Sequence, residues 1–209
     1  MAQTKKMLLA FSKRLKQFRH CDKCLAIGFF ILALSLRLWN LETLPPGAWY
    51  DEAHNATDAL AALEKGEFPV YYPANFGREG LFINAVGWML KTFGNTNFVF
   101  RFTSALCGAL AVAGLFLLAR KLKLSLLTAI LAALAMTFSF WHLNFSRIVF
   151  RAIMTPLVLV WASFFFFWAI EKKRWWQFAL SGAFLGLGFH TYISFRVVPL
   201  IFKIGRAHV

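Results

Sequence analysis

Long apolar runs bounded by basic residues recur along most of the chain, and they constrain its fold more than any other feature. Of the 209 residues, 59% are hydrophobic and 18% are aromatic, which is more apolar surface than a soluble domain of this size can bury. The net charge of +14 does not indicate nucleic acid binding, because the basic residues stand at the ends of the apolar runs. We therefore predict an integral membrane protein built from α-helices.

The predicted spans are the apolar runs long enough to cross a hydrocarbon core of about 30 Å. These runs cover residues 25–41, 98–118, 124–142, 153–170 and 176–192, and residues 197–202 would open a further span. The predicted fold class is an all-α, multi-pass helical bundle of about five spans plus the start of a sixth.

Clusters of lysine and arginine orient these spans. Residues 1–24 form a basic segment, predicted to be cytoplasmic or interfacial, and basic clusters also follow two spans at 120–123 and 172–174. Cytoplasmic loops are enriched in Lys and Arg, so all three clusters are placed inside. This orientation puts the N-terminus in the cytoplasm and residues 42–97 in a long first exoplasmic loop. A bacterial inner membrane is the expected location.

The first exoplasmic loop holds most of the acidic residues of the chain. Residues 51–65 are predicted to form a juxtamembrane helix that ends at Gly66, with one face made by Ala53, Ala56, Leu60 and Leu63. Residues 81–93 are predicted to form an interfacial or re-entrant helix, too short to span comfortably. Asp51 and Glu52 fall in the first turn of the earlier helix, where the helix dipole favours carboxylates. They either form a reaction centre or merely suit that dipole.

Arginines are concentrated on or near the exoplasmic side, where few basic residues are expected. They are Arg37, Arg78, Arg101, Arg147, Arg151 and Arg196. Guanidinium groups bind phosphate in a bidentate manner, which suits a lipid phosphate, although they also reach ordinary lipid headgroups. A carboxylate beside several arginines predicts chemistry on a lipid-linked phosphate ester. The carboxylate would take a proton from an acceptor hydroxyl, and the arginines would hold the leaving phosphate.

Short motifs follow one another along the chain in an order that adds to this interpretation. They are YDEA at 50–53, GREGLF at 77–82, FRFTSA at 100–105 leading into Gly108, SR at 146–147, GLG at 186–188 and YISFRVVP at 192–199. Over nearly all of residues 25–202, the chain resembles the GT-C superfamily of polyprenyl-phosphate-sugar glycosyltransferases. The resemblance is strongest to the dolichyl-phosphate-mannose protein mannosyltransferases and to bacterial relatives such as the lipid A aminoarabinose transferases.

The resemblance implies an inverting transfer of a sugar from an undecaprenyl or dolichyl monophosphate to an acceptor hydroxyl at the exoplasmic membrane face. It implies that Asp51 is the catalytic base and Glu52 its acidic neighbour. The residues expected to bind the donor and its lipid phosphate are Arg101, Arg147, Arg151 and Arg196. The substrate-side candidates are His54, Arg78, Glu79 and Tyr192. The expected partners are the lipid-linked donor, a protein, lipid or glycan acceptor, and membrane lipids.

No cofactor is required for this reaction and no metal site is predicted, although a divalent metal near Asp51 and His54 stays open. Residues 25–203 are interpreted as a truncated GT-C transmembrane domain, inactive alone, and residues 204–209 as an adapter-derived sequence. Gly80 stands where many relatives carry proline, which affects the geometry of the acceptor side.

The alternative to a glycosyltransferase is a non-catalytic membrane scaffold or a transporter fragment. It is disfavoured because the charges cluster at one membrane edge and no internal repeat is evident.

Overall fold

The computed structural model describes residues 21–199 of the chain. The predicted basic N-terminal segment is therefore described only from residue 21, and the predicted adapter sequence at 204–209 lies outside the described residues. Within that range the chain is mainly α-helical, with one short antiparallel hairpin.

Helix α1 is described over residues 21–38. The helices that follow are α2 (Tyr50–Lys65), α3 (Gly80–Phe93), α4 (Asn97–Lys121), α5 (Leu126–Phe138), α6 (Phe140–Phe145), α7 (Met154–Lys172) and α8 (Trp175–Gly188). Strands β1 (Tyr71–Tyr72) and β2 (Arg78–Glu79) pair between α2 and α3. Single 3-10 turns at Arg151–Ile153 and Ile193–Val197 precede α7 and follow α8.

The apolar helices agree with a membrane protein. In residues 21–199, two helices are long and apolar enough to cross a membrane, Asn97–Lys121 and Arg151–Lys172, while Leu126–Phe138 is apolar but shorter. The predicted run 124–142 is divided at Ser139, which leaves the helical conformation at ψ 123° and caps α6 through its hydroxyl. The total number of spans stays a prediction.

Helix α4 is the central packing element, and small residues allow its neighbours to approach closely. Ala109 and Val112 pack with Ala33 of α1 and with Ala129 of α5 in one fully buried cluster. On another side, a Cβ at Gly114 would lie 2.8 Å from a methyl carbon of Val160 in α7. Close approach through small residues is typical of helix packing in membrane proteins.

Helix α2 was predicted correctly in extent, but its buried face is shifted. It ends as expected at Gly66, which adopts the left-handed conformation at φ 69°. The buried residues are Glu52, Asn55, Ala59 and Ala62. The expected face is wrong at Ala53, which is exposed, because polar side chains with specific partners occupy two of the inward positions.

Gly80, at the junction of β2 and α3, has a close backbone contact that explains the residue found there. Its N–H donates to the carbonyl of Val70 at 2.7 Å, and a Cβ would lie 2.2 Å from the carbonyl oxygen of Pro69. A proline at this position would lack the N–H and would meet the same carbonyl. The hairpin and the start of α3 therefore take a form that requires glycine.

We expect Gly80→Ala to destabilise the protein by about 1–3 kcal/mol, because the new methyl group meets backbone atoms that a side-chain rotation cannot move away. Denaturant unfolding in detergent micelles measures the loss. Gly182→Ala is the matched control, since a Cβ at Gly182 meets nothing within 4 Å. Equal stability of the two variants would show that the backbone at 69–70 moves aside without cost.

Candidate active site

Two cavities meet at Asp51, in the first turn of α2. One, of about 410 Å³, is polar and is lined by Asn55, Tyr71, Asn75, Arg78, Glu79, Arg151, Tyr192 and Arg196 among others. The other, of about 600 Å³, is mainly apolar and includes Trp49, Phe140, Trp141, Phe145, Ile148 and Phe150. The polar cavity thus brings together Asp51 and several of the predicted site residues from α2, β2 and the two 3-10 turns.

The Asp51 carboxylate is partly exposed and only lightly bonded. Its Oδ1 accepts a hydrogen bond from Nδ2 of Asn75 at 3.1 Å. Among residues 21–199, no hydrogen bond or ion pair to Oδ2 is found. One carboxylate oxygen is therefore held in place while the other keeps its capacity to accept a proton.

Glu52 differs from its neighbour because it is buried and saturated with donors. Its Oε1 accepts from Nε of Arg101 at 2.8 Å and from the backbone N–H of Val149 at 3.3 Å. Its Oε2 accepts from the backbone N–H of Trp49 at 3.3 Å, in the manner of a capping box. In this arrangement Glu52 joins α2 to two other parts of the chain.

Arg101 is the partner of Glu52 and is equally buried, with 5% of its surface exposed. Besides Glu52, it donates to the carbonyl of Leu41 at 3.2 Å and to that of Gly47 at 2.8 Å. These bonds tie α4 to the segment that leaves α1. The expected contact of Arg101 with a lipid phosphate stays a prediction.

Arg147 closes the end of α1. Its Nη1 donates to the carbonyls of Leu36 and Arg37, and its Nη2 to those of Trp39 and Leu44, at 2.7–3.2 Å. A cation at a helix C-terminus is favoured by the helix dipole and satisfies carbonyls that lack helical partners. Burial lowers the pKa of Arg147, and the charge of Arg101 lowers it further. Its predicted phosphate role is likewise untested.

Arg151 and Arg196 converge on Glu79 at the polar cavity. Nη1 of Arg151 forms a short ion pair with Oε2 of Glu79, and Nη2 of Arg196 lies 3.7 Å from Oε1 of the same carboxylate. The Arg151 guanidinium also lies 5.2 Å from the ring centroid of Tyr192. The side chain of Arg196 is 62% exposed. Glu79 therefore holds two arginines at the wall of the cavity that also contains Asp51.

Arg78 is part of the wall of the polar cavity but is almost completely buried in it. It is 2% exposed, donates to Oδ1 of Asn55 at 2.9 Å and forms a short ion pair with Asp58. Asn55 in turn donates to the carbonyl of Val149 at 2.8 Å. This network fixes the hairpin against α2.

The sequence comparison bears on these residues directly. The family described as dolichyl-phosphate-mannose-protein mannosyltransferase matches residues 82–204, which is more than half of the chain. The chain belongs to this family. It is thus a polyprenyl-phosphate-sugar glycosyltransferase of the GT-C type at the level of the family, as the sequence motifs predicted. No curated protein and no solved structure matches the chain.

The family match covers only part of the candidate site. Arg101, Arg147, Arg151 and Arg196 lie inside the matched residues, whereas Asp51 and Glu52 precede them. In this mannosyltransferase-family chain, the roles of the individual residues therefore rest on geometry and chemistry.

A divalent metal near Asp51 and His54 stays a prediction. The residues described, 21–199, contain no group of three or more His, Cys, Asp or Glu side chains that could hold a metal ion. His54 packs against the ring of Tyr50 at a centroid distance of 4.7 Å, and the partner of Asp51 is an amide.

Two polar contacts of this family member were missed by sequence reasoning. Asn75, which bonds Asp51, lies in a turn whose Asn-Phe-Gly sequence signals positive φ but not a partner. Arg37 is fully buried and pairs with Nδ1 of His142 at 2.8 Å, across 105 positions of the chain. No local pattern in the sequence indicates such a distant pair.

Proposed function

We propose that this chain transfers a sugar from a polyprenyl monophosphate to an acceptor hydroxyl at the exoplasmic face of a bacterial inner membrane, with inversion at the anomeric carbon. The N-terminus is cytoplasmic in this proposal, and Asp51 is the general base. The observation that carries the proposal is the position of Asp51, which lines both the arginine-bearing polar cavity and the apolar cavity. Family membership supplies the class of donor.

The chemistry is a single displacement. Oδ2 of Asp51 takes the proton of the acceptor hydroxyl as the acceptor oxygen forms a bond to the anomeric carbon. The bond from that carbon to the phosphate oxygen breaks, and polyprenyl monophosphate leaves. A charge that grows on the leaving phosphate is stabilised best by cations already fixed in position.

Arg151 and Arg196 are the arginines best placed for the leaving phosphate. Both line the polar cavity with Asp51, and Glu79 forms a short ion pair with Arg151 and a longer one with Arg196. Arg101 and Arg147 have their donor groups directed at protein acceptors within buried surroundings. We therefore assign Arg101 and Arg147 to the support of the segment that leads from α1 to Asp51.

The apolar cavity suits an uncharged part of the donor or of the acceptor. Trp49, Phe140 and Trp141 at its edge are each more than two-thirds exposed. Large exposed aromatic side chains are typical of the interface between membrane and water. Their position supports a site at the membrane edge, where a lipid-linked donor and an acceptor hydroxyl meet.

Arg196→Ala is expected to raise the donor KM by about tenfold or more, because one charge-assisted hydrogen bond to phosphate is lost. Its ion pair with Glu79 is long and exposed, so stability should change little. Steady-state kinetics with a polyprenyl-phosphate sugar measure the effect. Lys65→Ala removes an exposed cation from the end of α2 and is the matched control. The same donor KM in both variants would remove Arg196 from the phosphate site.

A further inference from the structure

The turn between β1 and β2 has an unusual backbone. Asn75, Phe76 and Gly77 adopt positive φ in succession, at 53°, 63° and 83°. The left-handed region is free for glycine and tolerated by asparagine, but it is unfavourable for a bulky residue such as phenylalanine. This turn is therefore held by its surroundings.

Contacts between the two sides of the hairpin hold the turn in this form. The hairpin pairs Tyr72 with Arg78, and Gly77 donates to the carbonyl of Ala74 at 3.2 Å. Gly77 lies so close to the ring of Tyr71 that a Cβ would be 1.7 Å from its hydroxyl oxygen. The close approach requires glycine at this position.

The unfavourable backbone conformation of Phe76 is not offset by burial of its side chain. The side chain of Phe76 is fully exposed, so it gains no packing energy from its conformation. The adjacent Asn75 connects the turn to α2, because its Nδ2 donates to Oδ1 of Asp51 across 24 positions of the chain. Backbone strain that local contacts do not offset is typical of segments that hold a functional group in place.

We propose that Asn75 is a positioning residue for Asp51. Its amide holds Oδ1, which fixes the rotation of the carboxylate and leaves Oδ2 to take the acceptor proton. This inference rests on the proposed function, in which Asp51 is the base. It predicts that loss of the amide slows the chemical step while donor binding, which uses Arg151 and Arg196, continues.

The test compares variants of the full-length protein, with a polyprenyl-phosphate sugar as donor. Asn75→Gly removes the amide and keeps the left-handed turn. Asn75→Asp also tolerates this conformation but places a second carboxylate beside Asp51. We expect kcat to fall about tenfold or more in Asn75→Gly and further in Asn75→Asp, with donor KM within about twofold of wild type.

Asn40→Gly is the matched control. Asn40 is also left-handed, at φ 50°, but it is exposed on the segment after α1. Among residues 21–199, its side chain bonds only Thr43, and its backbone carbonyl accepts from the N–H of Leu44. Its kcat should equal that of wild type. If Asn75→Gly does not fold, the test rests on Asn75→Asp, and a wild-type kcat in that variant would overturn the positioning role.

A wild-type kcat in Asn75→Gly would overturn the positioning role. An equal fall in kcat for Asn40→Gly and Asn75→Gly would also overturn it, since the loss would then come from weakened turns in general. Asp51→Asn, assayed in parallel, separates this inference from the proposed function. If that variant is inactive and Asn75→Gly is normal, only the positioning role fails. If Asp51→Asn is fully active, the proposed base itself fails.

Discussion

Asp51→Asn is expected to lower the rate of sugar transfer by about 10²–10⁴-fold, because the amide has the shape of the carboxylate but cannot take the acceptor proton. The change adds no bulk at a partly exposed position, so expression and membrane insertion should match wild type. Transfer of labelled sugar from a polyprenyl-phosphate donor, in membranes that contain the full-length protein, measures the loss.

Glu64→Gln is the matched control for this variant. Glu64 lies in the same helix, is exposed and lines neither of the two cavities that meet at Asp51. Its activity should be close to that of wild type. Transfer by Asp51→Asn at more than half the wild-type rate would remove Asp51 from the role of base.

Arg101→Ala is expected to reduce the free energy of unfolding by about 3–5 kcal/mol, since it leaves the buried carboxylate of Glu52 without its partner. Both side chains of the pair are at most 6% exposed, and the carbonyls of Leu41 and Gly47 also lose a donor. Denaturant unfolding in detergent micelles gives the change in stability. A double variant, Glu52→Gln with Arg101→Met, should recover part of the loss because no buried charge remains.

The Arg101→Ala variant distinguishes a supporting role of Arg101 from a role in binding the lipid phosphate. If Arg101 supports the segment that leads from α1 to Asp51, the free energy of unfolding falls in Arg101→Ala. The protein that remains folded then binds the donor with nearly normal affinity. Unchanged stability together with a raised donor KM would return Arg101 to the phosphate site that the family resemblance implies. Arg196→Ala, with its expected effect on donor KM alone, gives the opposite pattern for comparison.

Local sequence signals were sufficient for the helices around the site. Acidic residues at the start and Gly66 at the end predicted α2 within one residue. The apolar run before Gly94 predicted a helix over residues 81–93, and α3 spans Gly80–Phe93. These signals act through groups that are close in sequence, namely helix ends and the residues beside them. The short hairpin between these helices was not predicted, because a pair of two-residue strands leaves no periodicity to detect.

The partners of the charged residues could not be predicted from sequence. Arg101 and Glu52 are 49 positions apart, and Arg147 reaches the carbonyl of Leu36 across 111 positions. The predicted position at the membrane edge grouped the arginines together but did not separate exposed from buried ones. That division depends on how α1, α4 and the loop between α6 and α7 pack together, which is a tertiary property.

The most direct test of the proposed function measures donor binding and chemistry on the same sample of full-length Asp51→Asn protein. Binding of a polyprenyl-phosphate sugar is measured first, and the release of polyprenyl monophosphate is then followed over a single turnover with acceptor present. We predict wild-type binding with release slowed by about 10²–10⁴-fold. Release at the wild-type rate would contradict the assignment of Asp51 as the base of this glycosyltransferase.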